Sequence, residues 1–201
     1  MSAPTIATPP DGAGVLSRPP SVAVVIAAIG CGLLAARPAL VDLSPHPVAA
    51  LLLLFVGLLV VGACIPLGAG GSSIAESRPR LGSTAAVTVG VAAFATGRLL
   101  IGGHPPTRAT IGLIAANTLA AVAEEAWFRR LCFGLLAPAG PGFAVVGSAL
   151  LFSVVHVSIY GLWVLPLDIA AGLVLGWQRA VTGSWRASAI THVVANLLVV
   201  L

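Results

Sequence analysis

Seven apolar runs, each close to twenty residues, follow one another along the chain at about 21–41, 47–68, 83–102, 109–136, 142–160, 162–181 and 185–201. Runs of that length predict helices long enough to cross a bilayer. Polar and apolar residues do not alternate along them, which argues against a transmembrane barrel. Pro- and Gly-rich breaks separate the runs: "RPAL", "SPHP", "LGAGGSSIAESRPRLG", "GGHPP", "APAGPG" and "TGS". The expected fold is all-α, a polytopic transmembrane helical bundle of about seven spans. The last two are short and are expected to tilt or insert partly. Residues 1–20, rich in Pro, Ser, Thr and Gly, read as a flexible tail, and 21–201 as a single transmembrane domain. The one sizeable loop falls at about 69–82, and no internal repeat is visible.

Composition strengthens this reading. Of the 201 residues, 58% are hydrophobic and 8% charged, against about a quarter charged in soluble domains. Mean hydropathy is +1.07. The net charge of +4 does not point to nucleic acid, because the basic residues are arginines scattered at helix ends. There they act as topology determinants. Arg18, Arg78, Arg80, Arg179 and Arg186 fall on one side, joined by Arg129 and Arg130, and Arg37 and Arg108 on the other. That places the N-terminus in the cytoplasm, with the first helix uncleaved. Cys31, Cys64 and Cys132 lie in apolar runs without metal-ligand spacing and read as small core residues.

Against this background a few ionisable groups inside the spans stand out: Arg98, Glu124, Glu125, Arg129, Arg130, His156, Asp168 and His192. Such groups are costly in a membrane and by default suggest function. Glu125 and Arg129, four apart, share a helix face in the favourable order for an ion pair. Glu124 is rotated by about 100° from Glu125 and points elsewhere. The two carboxylates are therefore expected to differ, one structural and one chemical. His156 follows Phe152 by one turn, and His192 precedes Asn196 by one turn. Any one of these alone is most simply a packing group or a structural pair. Together they place Glu, His and His with Asn on three helices at similar depth. Glu124 and His156 can activate water as a general base, and His192 with Asn196 can hydrogen-bond an oxyanion. That set suffices to hydrolyse an amide without a serine or cysteine nucleophile.

Three motifs carry a resemblance. "EEAWFR" (Glu124 to Arg129) fits E-E-x-x-x-R, "FSVVH" (Phe152 to His156) fits F-x-x-x-H, and "HVVAN" (His192 to Asn196) fits H-x-x-x-N. In this order, over about 110–201, the chain resembles the CAAX prenyl protease and bacteriocin-processing (CPBP, ABI) family of intramembrane endopeptidases. The resemblance implies that Glu124 and His156 activate water, that His192 and Asn196 stabilise the oxyanion, and that Glu125, Arg129 and Phe152 support the site. It implies a membrane-associated peptide or protein substrate and the lipid bilayer as partners, and a bacterial cell-membrane location. Members are described as glutamic or as metallo enzymes. No cofactor is favoured here, in the absence of an H-E-x-x-H motif. Zinc on Glu124, His156 and His192 is the alternative. Two other classes remain open: a proton-coupled transporter, for which repeats would be usual, and a catalytically silent immunity or scaffold protein.

The remaining polar groups weigh less. Asp168, after Pro166, is expected to pair with Arg98 in the core or to line a water path. "GLVLG" (Gly172 to Gly176) predicts close helix packing. Trp127, Trp163, Trp177 and Trp185 read as interface anchors or packing groups.

Overall fold

A computed structural model describes residues 21–67, 81–102 and 110–200. The expected tail at 1–20, most of the 69–82 loop, and Arg18, Arg78, Arg80 and Arg108 lie outside the described residues. Within them the chain is helical: α1 (Ser21–Ala35), α2 (Arg37–Leu43), α3 (Pro47–Cys64), α4 (Ser83–Ile101), α5 (Ile111–Glu125), a π-helical segment (Ala126–Cys132), α6 (Phe133–Leu136), α7 (Pro141–Tyr160), α8 (Leu165–Thr182) and α9 (Trp185–Val200). Among the described residues five stretches are long and apolar enough to span a membrane, and the bent pair α1 and α2 passes the same test only when the two are taken together. The seventh segment, α9, has 16 residues. At 1.5 Å per residue it covers about 24 Å, short of the roughly 30 Å hydrocarbon core. The chain is a multi-pass helical membrane protein.

The first expected span is not one straight helix. α1 and α2 meet at 59°. The cause is local. In an uninterrupted helix the N–H of residue 38 would bond the carbonyl of Leu34, but Pro38 has no N–H. The Leu34 carbonyl instead accepts from Arg37 Nε at 3.0 Å.

Helices α7 and α8 form the most extensive pair, and α5 packs on α3 and α9. Glycines permit the α7–α8 approach, as "GLVLG" predicts. A Cβ on Gly172 would meet Ala149 Cα and Cβ at 2.9 Å, and one on Gly176 would meet Val145 at 3.2 Å. Trp127 is a packing group. It is 2% exposed and lies against Gly30, where a Cβ would collide with its ring. Trp163, on the connection before α8, is exposed. Buried Gln178 ties three helices together, donating from Nε2 to the Ala86 carbonyl (2.7 Å) and the Thr191 hydroxyl (2.8 Å).

Candidate active site

The site is built around the junction of α5 and the π-helical segment. Thr110 caps α5 by accepting from the Leu113 N–H at 3.2 Å, the usual N-cap bond. At the other end the helix widens. From Ala123 to Arg129 every residue is buried, so this stretch is enclosed by neighbouring helices on all sides. π-turns inside α-helices often occur at functional sites. Cations brace this one: Arg179 Nε donates to the Arg129 carbonyl at 3.0 Å. Arg130 donates to the Gly62 and Ile65 carbonyls, closing the C-terminal end of α3.

Glu125 and Arg129 form the expected pair. Arg129 Nη1 lies 3.2 Å from Glu125 Oε1, and both side chains are wholly buried. Glu125 has a second partner, since His192 Nδ1 on α9 is 2.9 Å from the same oxygen. Arg129 also donates to the Gly172 carbonyl on α8 at 3.3 Å and lies 4.5 Å over the Phe152 ring, a cation–π contact. Phe152 is the hub of the aromatic packing. It meets Phe128 edge-on at 5.5 Å, His156 at 4.6 Å and His192 edge-on at 5.7 Å.

Glu124 faces a different set. Its Oε1 accepts from Arg37 Nη1 at 3.0 Å. Its Oε2 is 3.8 Å from His156 Nε2 and 4.0 Å from His192 Nε2. Those distances are too long for direct hydrogen bonds and suit a bridging water. Ring geometry settles the tautomers. His156 Nδ1 lies 2.7 Å from the Phe152 carbonyl, which can only accept, so Nδ1 carries the hydrogen. His192 Nδ1 likewise donates to the Glu125 carboxylate. In a neutral ring each Nε2 is then an acceptor, and three acceptors converge: two imidazole nitrogens and Glu124 Oε2.

Asp168 belongs to this cluster, with Oδ2 3.6 Å from His156 Nδ1. Of the two readings offered by the sequence, the structure favours the site over the core pair with Arg98. Asp168, Gly172 and Gly176 are spaced four apart, so the face of α8 that packs closely on α7 also carries Asp168 to His156. Tyr160 stacks on His156, with ring centroids 6.1 Å apart and planes at 8°. Asn196, one turn beyond His192 on α9, has its Nδ2 3.5 Å from the Asn117 carbonyl on α5, about two turns before Glu124.

The structure thus gathers Glu124, Glu125, Arg129, Phe152, His156 and His192, while the contact shown for Asn196 is with Asn117. Arg37 corrects an expectation. Its flanking position suggested a topology residue, yet its side chain is 11% exposed and paired with Glu124. The available signal was an arginine followed by proline at the end of an apolar run. Tyr160, the chain's one tyrosine, gave no signal of its own. Among the described residues no three His, Cys, Asp or Glu side chains are gathered at metal-ligand spacing.

Fold and site together define a multi-pass helical membrane protein with a buried acid–imidazole centre. Residues 106–198 match the family model for type II CAAX prenyl endopeptidase, Rce1-like. Over those residues the chain is similar to the CAAX-type intramembrane endopeptidases of the CPBP family. The match covers Glu124 to Asn196 and leaves Arg37 outside. No curated protein and no solved structure matches the chain.

Proposed function

We propose that the protein hydrolyses a peptide bond of a membrane-associated protein or peptide, using water activated between Glu124 and His156. One observation carries this reading: Glu124 Oε2 and His156 Nε2 face each other at 3.8 Å, both as acceptors, the spacing that holds a water by its two hydrogens. As the water oxygen attacks the carbonyl carbon, its proton passes to Glu124, which returns it to the leaving amine. His192 and Asn196 donate to the oxyanion. Because His192 Nδ1 already donates to Glu125, donation from Nε2 requires the doubly protonated ring. Glu125 and Arg129 hold His192 in place.

The same convergence of acceptors favours a second reading, zinc on Glu124, His156 and His192. The residue types fit a His₂Glu set with one open position. The spacing is somewhat wide, because bonds of about 2.0–2.1 Å put tetrahedral ligands about 3.3 Å apart. We favour water activation without a metal. The setting proposed is a bacterial cell membrane with the N-terminus in the cytoplasm.

The test is cleavage of acyl-anchored fluorogenic peptides by purified protein in phosphatidylethanolamine–phosphatidylglycerol vesicles, with elemental analysis of the same preparation. Turnover that disappears in Glu124→Gln supports the reading. Absence of turnover across a broad peptide library, in folded protein, overturns it. Stoichiometric zinc, with activity lost on chelation and regained with the ion, moves the assignment to the metal.

A further inference from the structure

The family match begins after the first hundred residues, yet one side chain of the centre comes from before it. We propose that Arg37 is a positioning residue of the active site, orienting the Glu124 carboxylate so that Oε2 alone faces the two imidazoles. The inference rests on the peptidase reading above and extends the machinery to the N-terminal helices.

Four observations carry it. Arg37 Nη1 bonds Glu124 Oε1 at 3.0 Å across 87 residues of sequence. The guanidinium is held on two further sides, by the Leu34 carbonyl on Nε and by the Phe55 ring 5.7 Å from Cζ. The backbone is shaped for this. Pro38 frees the Leu34 carbonyl, and the resulting break at Ala36 puts residue 37 at the corner between α1 and α2. Finally, Arg37 Nη2 is buried without a hydrogen-bond partner among the described residues, so the bonds shown do not consume the whole fork.

The charge arrangement gives the same answer. Glu124, Glu125 and Asp168 crowd around two histidines, and Arg129 is committed to Glu125. Without Arg37, Glu124 has no guanidinium within ion-pair distance among the described residues, and a carboxylate buried without a cation is strongly disfavoured. A carboxylate with neither oxygen fixed can also rotate away from the water it must hold. Arg37 prevents both while leaving Oε2 uncovered. Arg37 acts through Glu124 and need not touch the substrate. Its loss should therefore lower kcat and leave KM unchanged.

The experiment compares Arg37→Gln, Arg37→Lys and Arg37→Ala with wild type and Glu124→Gln, as full chains in the same vesicles with the same acyl-anchored peptides. Folding is monitored by thermal unfolding in detergent. Misplacing a reacting group by an ångström costs about 10²-fold, and Arg37→Gln is expected to lose kcat on that order. Arg37→Lys should retain more turnover, and added guanidinium ion should restore part of the turnover of Arg37→Ala. In the Glu124→Gln background, Arg37→Gln should cause no further loss. Full kcat in Arg37→Gln, with Glu124→Gln inactive, overturns the proposal and leaves the peptidase reading standing. Full turnover in Glu124→Gln overturns both. If the Arg37 variants unfold more easily but keep wild-type turnover per folded molecule, Arg37 is structural and the proposal fails.

Discussion

His192 Nδ1 and Arg129 Nη1 meet on a single oxygen, Glu125 Oε1, at 2.9 and 3.2 Å. One carboxylate therefore joins the last helix to the π-helical segment, inside a region where Glu125 and Arg129 have no exposure. Removing its charge strands a buried cation and unties α9. Breaking a buried pair by changing one partner costs about 3–5 kcal/mol in soluble proteins. Glu125→Gln is accordingly expected to lower the unfolding temperature clearly, with activity lost alongside. Thermal unfolding of the purified variant in detergent decides this. An unchanged midpoint would show that Glu125 is not what holds α9.

Glu124 should behave differently, although it is the adjacent residue. Its Oε1 is tied to Arg37, but Oε2 makes no direct bond and faces both histidines across water-bridging distances. Gln keeps the shape and can still accept from Arg37. Losing a general base costs about 10²–10⁴ in rate. Glu124→Gln should show a loss of that order with a smaller drop in unfolding midpoint than Glu125→Gln, because Arg37 keeps some exposure where Arg129 has none. If Glu124→Gln turns over normally, or if Glu125→Gln loses activity while keeping full stability, the two glutamates have each other's role.

Sequence spacing revealed the residues that lie one turn apart. Glu125 with Arg129, Phe152 with His156, and His192 with Asn196 are each legible because helical periodicity fixes their common face. The helical class and the approximate number of spans were legible from run length. What was not legible came from between the helices. Arg37 is 87 residues from Glu124, and nothing in an apolar run states which helix a terminal arginine will meet. The Pro38 break could be read as a helix end, but not as a corner turned into the centre. Asp168 was misweighted for a similar reason: its partner depends on how closely α8 approaches α7. The π-helical segment was not legible because residues 123–129 are buried on every side, so there is no polar–apolar period for an i→i+5 turn to shift.

Phe152 joins parts of the site that have no covalent connection. Its ring lies beneath Arg129 and against both imidazoles. Phe152→Ala removes that platform and leaves a cavity, a change that costs about 3–5 kcal/mol in soluble cores. Phe152→Leu fills most of the volume but offers Arg129 no π face, so it should lose less stability than Ala while still losing turnover. Parallel measurement of unfolding and cleavage tests this. Equal turnover in Phe152→Leu and wild type would reduce Phe152 to a space-filling role.

The approach of α8 to α7 sets where Asp168 sits, and two glycines on one face allow a graded test. A Cβ at Gly172 meets Ala149 Cα and Cβ at 2.9 Å, while at Gly176 the nearest atom is Val145 Cγ1 at 3.2 Å. Gly172 is one turn from Asp168, and its carbonyl accepts the hydrogen bond from Arg129 Nη2. Gly172→Ala therefore forces the helices apart next to the site, and overpacking of this kind costs about 1–3 kcal/mol. It should also draw Asp168 away from His156 and reduce turnover. Gly176→Ala, one turn farther away and with its tightest contact at 3.2 Å instead of 2.9 Å, should cost less in both measurements. Gly57→Ala on α3, where nothing lies within 4 Å, is the control and should be neutral or slightly stabilising. Equal effects at Gly172 and Gly176 would mean that the α7–α8 contact does not position Asp168, and a neutral Gly172→Ala would mean that the two helices are not packed as closely as 2.9 Å requires.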